Sequence, residues 1–331
     1  MAFLNNTTNI TFEPLYLPQP IQFSILLVIA ICSVPCFIFD LYHCLTIPSI
    51  RHALHNHVII LLLIFNGIQT VTDVPIQLSS YYTGTIWPPT ASFCIFDYFI
   101  DYYLFTNCFL LLTWASFERH ILIFHTRLYD TYPKRLIGHY IPLGFCCIYP
   151  FVYYIVFLLF YPCENYYDTS IGYCAPACYL SSSDVMALYE QIVHGFALIL
   201  LTFIFNVLLL IRIFRQKQRI GRQLTWTKNR KIAVQLLGVW CLFVITNGGF
   251  FLIQLGQLLW DPNFGIEASN WIYPLSMCMP PLTSFVCLGT LKDLRQKIRI
   301  LYSRHRRILI VPAITKTVQM NRIVPIISRN V

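Results

Sequence analysis

Lysine and arginine are missing from most of this chain. None occurs before Arg51, between Arg51 and Arg119, from 136 to 211, or from 232 to 291. Charged residues make up 11% of the 331, against about 25% in soluble domains, which excludes an ordinary soluble fold. The first 20 residues hold no Lys or Arg, so the positively charged start of a cleavable signal peptide is not expected. No cysteine pair has metal-ligand spacing and no nucleophile stands in recognisable relation to a base. Neither a metal, a cofactor nor an enzymatic activity is therefore expected. No internal repeat or low-complexity linker divides the chain.

What is present is apolar: 57% hydrophobic and 16% aromatic residues, with a mean hydropathy of +0.62. The defining stretch runs from Cys94 to Glu118-Arg119-His120. Its 23 intervening residues carry two charges, Asp97 and Asp101. As a helix, the stretch places Arg119 about 37 Å from Cys94, at ~1.5 Å per residue, enough to cross a hydrocarbon core of about 30 Å. Further apolar runs at 21–46, 58–80, 137–160, 187–211, 232–258 and 269–290 bring the total to seven spans. The expected fold is an all-α membrane protein, a seven-helix bundle over 21–290, between an N-terminal segment 1–20 and a basic tail 291–331. Pro75 predicts a kink in the second span. Asp40, Asp73 and Asp101 are intramembrane acids and hence functional candidates, although Asp40 is equally placed to reach water at a span end.

Charge sets the orientation. Of 23 Lys and Arg, one is Arg51, four lie in 119–135, eight in 212–231 and ten from Lys292 onward. In a seven-span arrangement all fall on one side, which the positive-inside rule makes cytoplasmic. The N-terminus is then extracellular. Its three sequons at Asn5, Asn6 and Asn9 suit glycosylation there. The acids Glu13, Glu164, Asp168, Asp184, Asp261 and Glu267 take the opposite side. The basic clusters fit an anionic inner leaflet and need no nucleic acid.

Nine of the 13 cysteines lie within apolar runs; the four outside are Cys94, Cys163, Cys174 and Cys178. In an oxidising compartment these form two disulfides. One is expected to tie Cys94 to the 161–185 loop and the other to close that loop on itself. Sequence does not choose among the three pairings; the pairing taken as the expectation is Cys94–Cys178 with Cys163–Cys174. Scattered histidines are expected to face water in loops.

Seven spans, an outside N-terminus with sequons, and a cysteine 25 residues before the arginine of an acid-Arg-aromatic triplet resemble a rhodopsin-like (class A) G-protein-coupled receptor. The resemblance covers about 21–300. It implies that Glu118 holds Arg119 at rest, and that release of Arg119 opens the bundle toward a heterotrimeric G protein. Asn56 and Leu62 match the family's second helix and put Asn66 where most members carry Asp. Cys108 stands where a Ser often completes a sodium site. With the carboxylate and a hydroxyl gone, a hard cation lacks ligands. Agonist affinity is thus expected to depend on Na⁺ no more than on ionic strength, which titration against choline checks. Other motifs have diverged. Phe243 keeps the core aromatic of the sixth helix, but Thr246-Asn247-Gly248-Gly249 replaces Cys-Trp-x-Pro. Asn206 takes the fifth helix's Tyr position. By spacing, Thr283, Ser284 and Cys287 stand in the Asn-Pro-x-x-Tyr motif; matching the proline selects Pro280-Pro281 instead.

Residues 291–307 read as a short amphipathic eighth helix on the inner leaflet. No cysteine follows Cys287, so the family's palmitoyl anchor is missing, and few Ser or Thr remain to recruit arrestin. By the resemblance, Asp101 stands where the aminergic branch pairs an amine, with Asp97, Tyr102 and Phe105 in the pocket. The Tyr- and Asp-rich outer loop and acidic rim favour a basic peptide over an amine. The expected function is plasma-membrane, neuropeptide-type signalling. Alternatives are a transporter or channel, which the three intramembrane acids suggest, and a non-signalling scaffold, which the eroded motifs suggest.

Overall fold

The computed structural model describes residues 18–165, 174, 177–220 and 223–290. Among them the regular structure is entirely helical. The sequons at Asn5, Asn6 and Asn9 and the amphipathic segment 291–307 lie outside the described residues. Six helices are long and apolar enough to cross a membrane: α1 (Gln19–Thr46), α2 (Leu54–Thr83), α3 (Ala91–Phe124), α4 (Tyr132–Leu159), α5 (Asp184–Arg215) and α6 (Gln223–Leu259). The seventh span is a bent pair, α7 (Ile266–Ser276) and α8 (Met279–Thr290), meeting at 45°.

Local sequence explains the boundaries. α2 ends at Gly84, whose φ of +73° is the left-handed cap that glycine adopts without a Cβ penalty. α3 starts where Thr90 Oγ1 accepts the Phe93 N–H at 3.3 Å, satisfying one of the orphan donors of a helix start. The break between α7 and α8 precedes Pro280 and Pro281. Proline has no N–H to give the preceding turn, but it is tolerated in a helix's first turn. The seventh span, expected over 269–290, is bent there. α2 runs without interruption through Pro75, and α6 runs through Gly248 and Gly249.

α3 is the central helix and packs against α2, α4, α5 and α6. Polarity is inverted relative to a soluble protein. Val28, Ile31 and Ile38 point outward from α1 and are more than 60% exposed, while Ser33 and Asp40 of the same helix are fully buried. The interior also holds Asn66, Asp73, Glu118, Arg119, Glu190 and Asn247. An apolar exterior around a polar interior is what a hydrocarbon solvent selects. Aromatic rings fill the middle: Phe105, Phe109, Phe243 and Phe251 pack as one cluster. α5 lies close enough there that a Cβ on Gly195 would collide with the Phe251 ring.

Candidate functional site

Three polar zones line α3 from end to end. At the arginine end, Glu118 and Arg119 are both buried. The Glu118 carboxylate is hydrogen-bonded by His139 Nδ1 and acts electrostatically on Arg119. His139 Nε2 lies 2.9 Å from His57 Nδ1, and His57 Nε2 lies 3.0 Å from the Arg51 carbonyl oxygen. A carbonyl only accepts, so His57 Nε2 carries the proton there. A neutral His57 then accepts at Nδ1, and His139 Nε2 donates. One further proton must lie between His139 Nδ1 and Glu118. The pair is therefore either imidazolium with carboxylate or imidazole with carboxylic acid, and it is hydrogen-bonded in both forms.

Sequence reading missed this relay. His139 was expected to face loop water, yet it is fully buried. It stands in the π-helical turn Leu136–Tyr140 at the start of α4, and no one-dimensional pattern points that turn at Glu118. Beside the relay, the Tyr129 hydroxyl donates to the Gly138 carbonyl at 2.9 Å. Burial pushes the Tyr129 phenol up to about 12, and the nearby Glu118 charge adds to the shift. His120 Nε2 lies 2.8 Å from the Phe205 carbonyl and ties α3 to α5.

In the middle zone, Asn66 Nδ2 donates to the Leu62 carbonyl at 2.7 Å and to Cys108 Sγ at 3.4 Å. The two positions that the family comparison paired are thus in contact. Asp40 does not reach water. It is fully buried, and neither of its oxygens has a hydrogen-bond partner among the described residues. Asn247 Nδ2 donates to Thr246 Oγ1 at 2.8 Å, one turn from Phe243. The buried Asn206 amide has no hydrogen-bond partner among the described residues. Thr283 and Ser284 bond back to their own helix, at the Met279 and Pro281 carbonyls. Cys287 packs with Phe37, Cys44 and Leu63.

At the opposite end the disulfides are Cys94–Cys174 and Cys163–Cys178, with Cα separations of 5.7 and 6.0 Å. The expected Cys94–Cys178 and Cys163–Cys174 pairing is therefore wrong. The four cysteines were right and the partners were exchanged. Two hydrogen bonds explain it. Tyr98 Oη, one turn along α3 from Cys94, donates to the Cys174 carbonyl at 2.7 Å and holds Cys174 against α3. The Cys178 N–H donates to Asn165 Oδ1 at 2.8 Å and keeps Cys178 beside the chain leaving α4.

Below the disulfides, Asp97 and Asp101 project from successive turns of α3. Gln69 Nε2 donates to Asp101 Oδ1 at 3.3 Å. Asp73 of α2 and Tyr273 of α7 lie within electrostatic reach of both acids. Gln77 Nε2 donates to Tyr273 Oη at 3.2 Å. Tyr102 turns toward α4 and packs on Tyr154, with ring centroids 5.7 Å apart. Phe105 belongs to the central aromatic cluster, 4.8 Å from Phe109. Of the expected pocket residues, Asp97 and Asp101 thus lie together, Tyr102 packs on Tyr154 within electrostatic reach of Asp101, and Phe105 belongs to the aromatic cluster.

A second polar knot went unforeseen. The buried Glu190 carboxylate accepts hydrogen bonds from Tyr154 Oη, from Tyr153 Oη at 3.1 Å and from His194 at 3.0 Å. Tyr154 Oη is also 2.7 Å from Thr106 Oγ1, which joins α3, α4 and α5. Helical spacing shows Glu190 and His194 on one face (i, i+4) but not which neighbour that face meets. Among the described residues no group of His, Cys, Asp or Glu has the arrangement of a metal site.

A search of curated proteins found none that matches this chain. Residues 52–286 match the family "7 transmembrane receptor (rhodopsin family)". That interval takes in α2 to α7, most of α8, both disulfides and most of the three polar zones, with Asp40, Arg51 and Cys287 outside it. The chain belongs to the rhodopsin family of seven-transmembrane receptors.

Proposed function

We propose that this receptor sits in the plasma membrane with its N-terminus outside, and that it converts binding of an extracellular ligand into activation of a heterotrimeric G protein. The observation that carries the reading is the polarity of α3. Asp97 and Asp101 occupy the disulfide end, and the buried Glu118 and Arg119 occupy the opposite end, which the positive-inside rule makes cytoplasmic. Ligand binding favours conformers in which Arg119 is released from Glu118, and their share of the population rises. The acids clustered at Asp97 and Asp101 suit a ligand with a basic group, and the Tyr- and Asp-rich composition of the 161–185 loop favours a peptide over an amine.

A G-protein dissociation assay in cells, screened against peptide and amine libraries, tests the reading. A basic peptide is expected to give a response that Arg119→Ala lowers at least tenfold, about 1.4 kcal/mol or more of coupling. A response unchanged by Arg119→Ala counts against the switch. Ion flux with no G-protein response would favour a channel.

A further inference from the structure

We propose that Glu190, His194 and the hydroxyls of Tyr149 and Tyr189 form a proton-responsive clamp between α4 and α5, fed from the water on the disulfide side. The receptor reading makes that side extracellular, and the clamp rests on that reading for its biological meaning. Glu190 and His194 are 7% and 4% exposed and stand in the π-helical turn Glu190–Phe196 of α5. His194 Nδ1 lies 3.0 Å from Glu190 Oε2, and His194 Nε2 lies 2.8 Å from Tyr149 Oη. Tyr149 Oη is in turn 3.0 Å from Tyr189 Oη. Tyr189 is 37% exposed and follows the helix start at Asp184 by about 8 Å, at ~1.5 Å per residue. A chain of hydroxyls thus leads from the outer end of the bundle to a buried carboxylate.

Proton counting separates two states. A carboxylate only accepts, so without an extra proton His194 Nδ1–H donates to Glu190. The bare Nε2 then accepts from the Tyr149 hydroxyl, which accepts from Tyr189. One added proton gives either imidazolium with carboxylate or imidazole with carboxylic acid. In both, Nε2 carries a proton, so Tyr149 must accept from it and donate to Tyr189. The hydroxyl chain reverses direction, and the knot loses its negative charge. The proton comes from water at Tyr189, and no bond between heavy atoms breaks.

The surroundings favour the protonated state. The titratable groups facing the pair are tyrosines: Tyr149, Tyr153 and Tyr154 of α4, Tyr189 of α5, Tyr102 of α3 and Tyr179 of the short loop helix Cys178–Ser181. α6 presents Phe251, against Gly195, and no titratable residue lies from 242 to 260. The other charge that acts on Tyr102 is an acid, Asp101. No Lys or Arg occurs from 136 to 211 or from 232 to 291. A buried carboxylate without a cation is costly, and the added proton removes that cost. With the proton, α4 and α5 are joined through a pair whose donors and acceptors all match. Without it, a bare charge is left between the two helices. Gly195, next to His194, packs closely on Phe251, so a looser α5 also loosens its seat on α6.

A proton that the folded receptor holds more tightly than the unfolded chain adds stability as pH falls. Apparent melting temperature of the purified full-length receptor in nanodiscs, at about pH 6 and about pH 8, tests the clamp on either side of histidine's usual value of about 6.5. The unsubstituted receptor is expected to melt about 2–4 °C higher in acid. His194→Asn keeps a donor toward Glu190 but takes up no proton, and is expected to lose that difference. Tyr149→Phe leaves the protonated Nε2 without an acceptor and is expected to lose most of it. It removes a single hydroxyl from a partly buried ring, so it decides the matter if His194→Asn fails to fold. Three outcomes overturn the proposal: an acid response in Tyr149→Phe equal to that of the unsubstituted receptor, which would assign the proton to another site such as His139; no acid response in the unsubstituted receptor; or greater stability at about pH 8. No G protein enters the assay. A receptor that shows the acid response but does not signal sinks only the signalling reading, and one that signals while Tyr149→Phe leaves the acid response intact sinks only the clamp.

Discussion

Replacing His139 with leucine is expected to destabilise the receptor by about 3 kcal/mol, the usual cost of removing one partner of a buried hydrogen-bonded pair of ionisable groups. Glu118 is buried, and His139 is the partner whose ring hydrogen-bonds its carboxylate directly. The leucine side chain offers no donor, and the closed packing around Glu118 admits little solvent. Glu118→Gln in the His139→Leu background removes the carboxyl group that has lost its hydrogen-bond partner and should recover much of the loss. The double-mutant cycle on apparent melting temperature is therefore expected to give a coupling of about 2 kcal/mol. Coupling within about 0.5 kcal/mol of zero would mean that the relay contributes nothing to the fold. The two single variants should move signalling in opposite directions. Glu118→Gln releases Arg119 and raises basal G-protein activation. His139→Leu leaves Arg119 as the remaining cationic partner of the carboxylate and lowers it. Basal activation moving the same way in both would contradict the sharing of Glu118 between His139 and Arg119.

The disulfides give the second large effect. Cys94–Cys174 joins residues 80 apart and Cys163–Cys178 joins residues 15 apart. Loop-closure entropy assigns about 4.5 kcal/mol to the longer loop and about 3 kcal/mol to the shorter. Both figures are ceilings, because apolar helices stay in the bilayer when the bundle comes apart and the loops are never fully free. The order should survive. Cys174→Ser is expected to reduce folded receptor at the cell surface more than Cys163→Ser does. The pairing has its own signature. In Cys163→Ser the thiol that becomes alkylatable is Cys178, and Cys94 stays protected. Peptide mapping after alkylation that finds Cys174 freed instead would restore the pairing expected from sequence.

Much of the architecture was legible in one dimension, because a bilayer imposes long-range rules on composition. Spans must be apolar over their whole length, and basic residues collect on one side. Runs such as 21–46 and 137–160, and the tally of 23 Lys and Arg, carry that information without any contact being known. The cysteine–arginine spacing within α3 is likewise local, since one helix fixes the distance between its own residues. The break between Ser276 and Met279 was not read from the sequence, although Pro280 and Pro281 stand just beyond it. Cysteine partners were not legible. Four half-cystines are equivalent in sequence, and the choice rests on Tyr98 and Asn165, residues with no special spacing to the sulfurs they sort.

Sequence alone determined that this chain carries seven apolar spans with its basic residues in alternate connections, and that α3 carries acids at one end and Glu118-Arg119 at the other. These follow from periodicity, length and charge, properties that each segment holds by itself. Only the tertiary structure decided what meets what. His57 and His139 are 82 residues apart, and Gln69 and Asp101 are 32 apart. Glu190 sits among tyrosines from another helix. A helix shows its faces in its sequence, but which neighbour each face meets depends on the rotation and tilt that the packing of all the helices settles together.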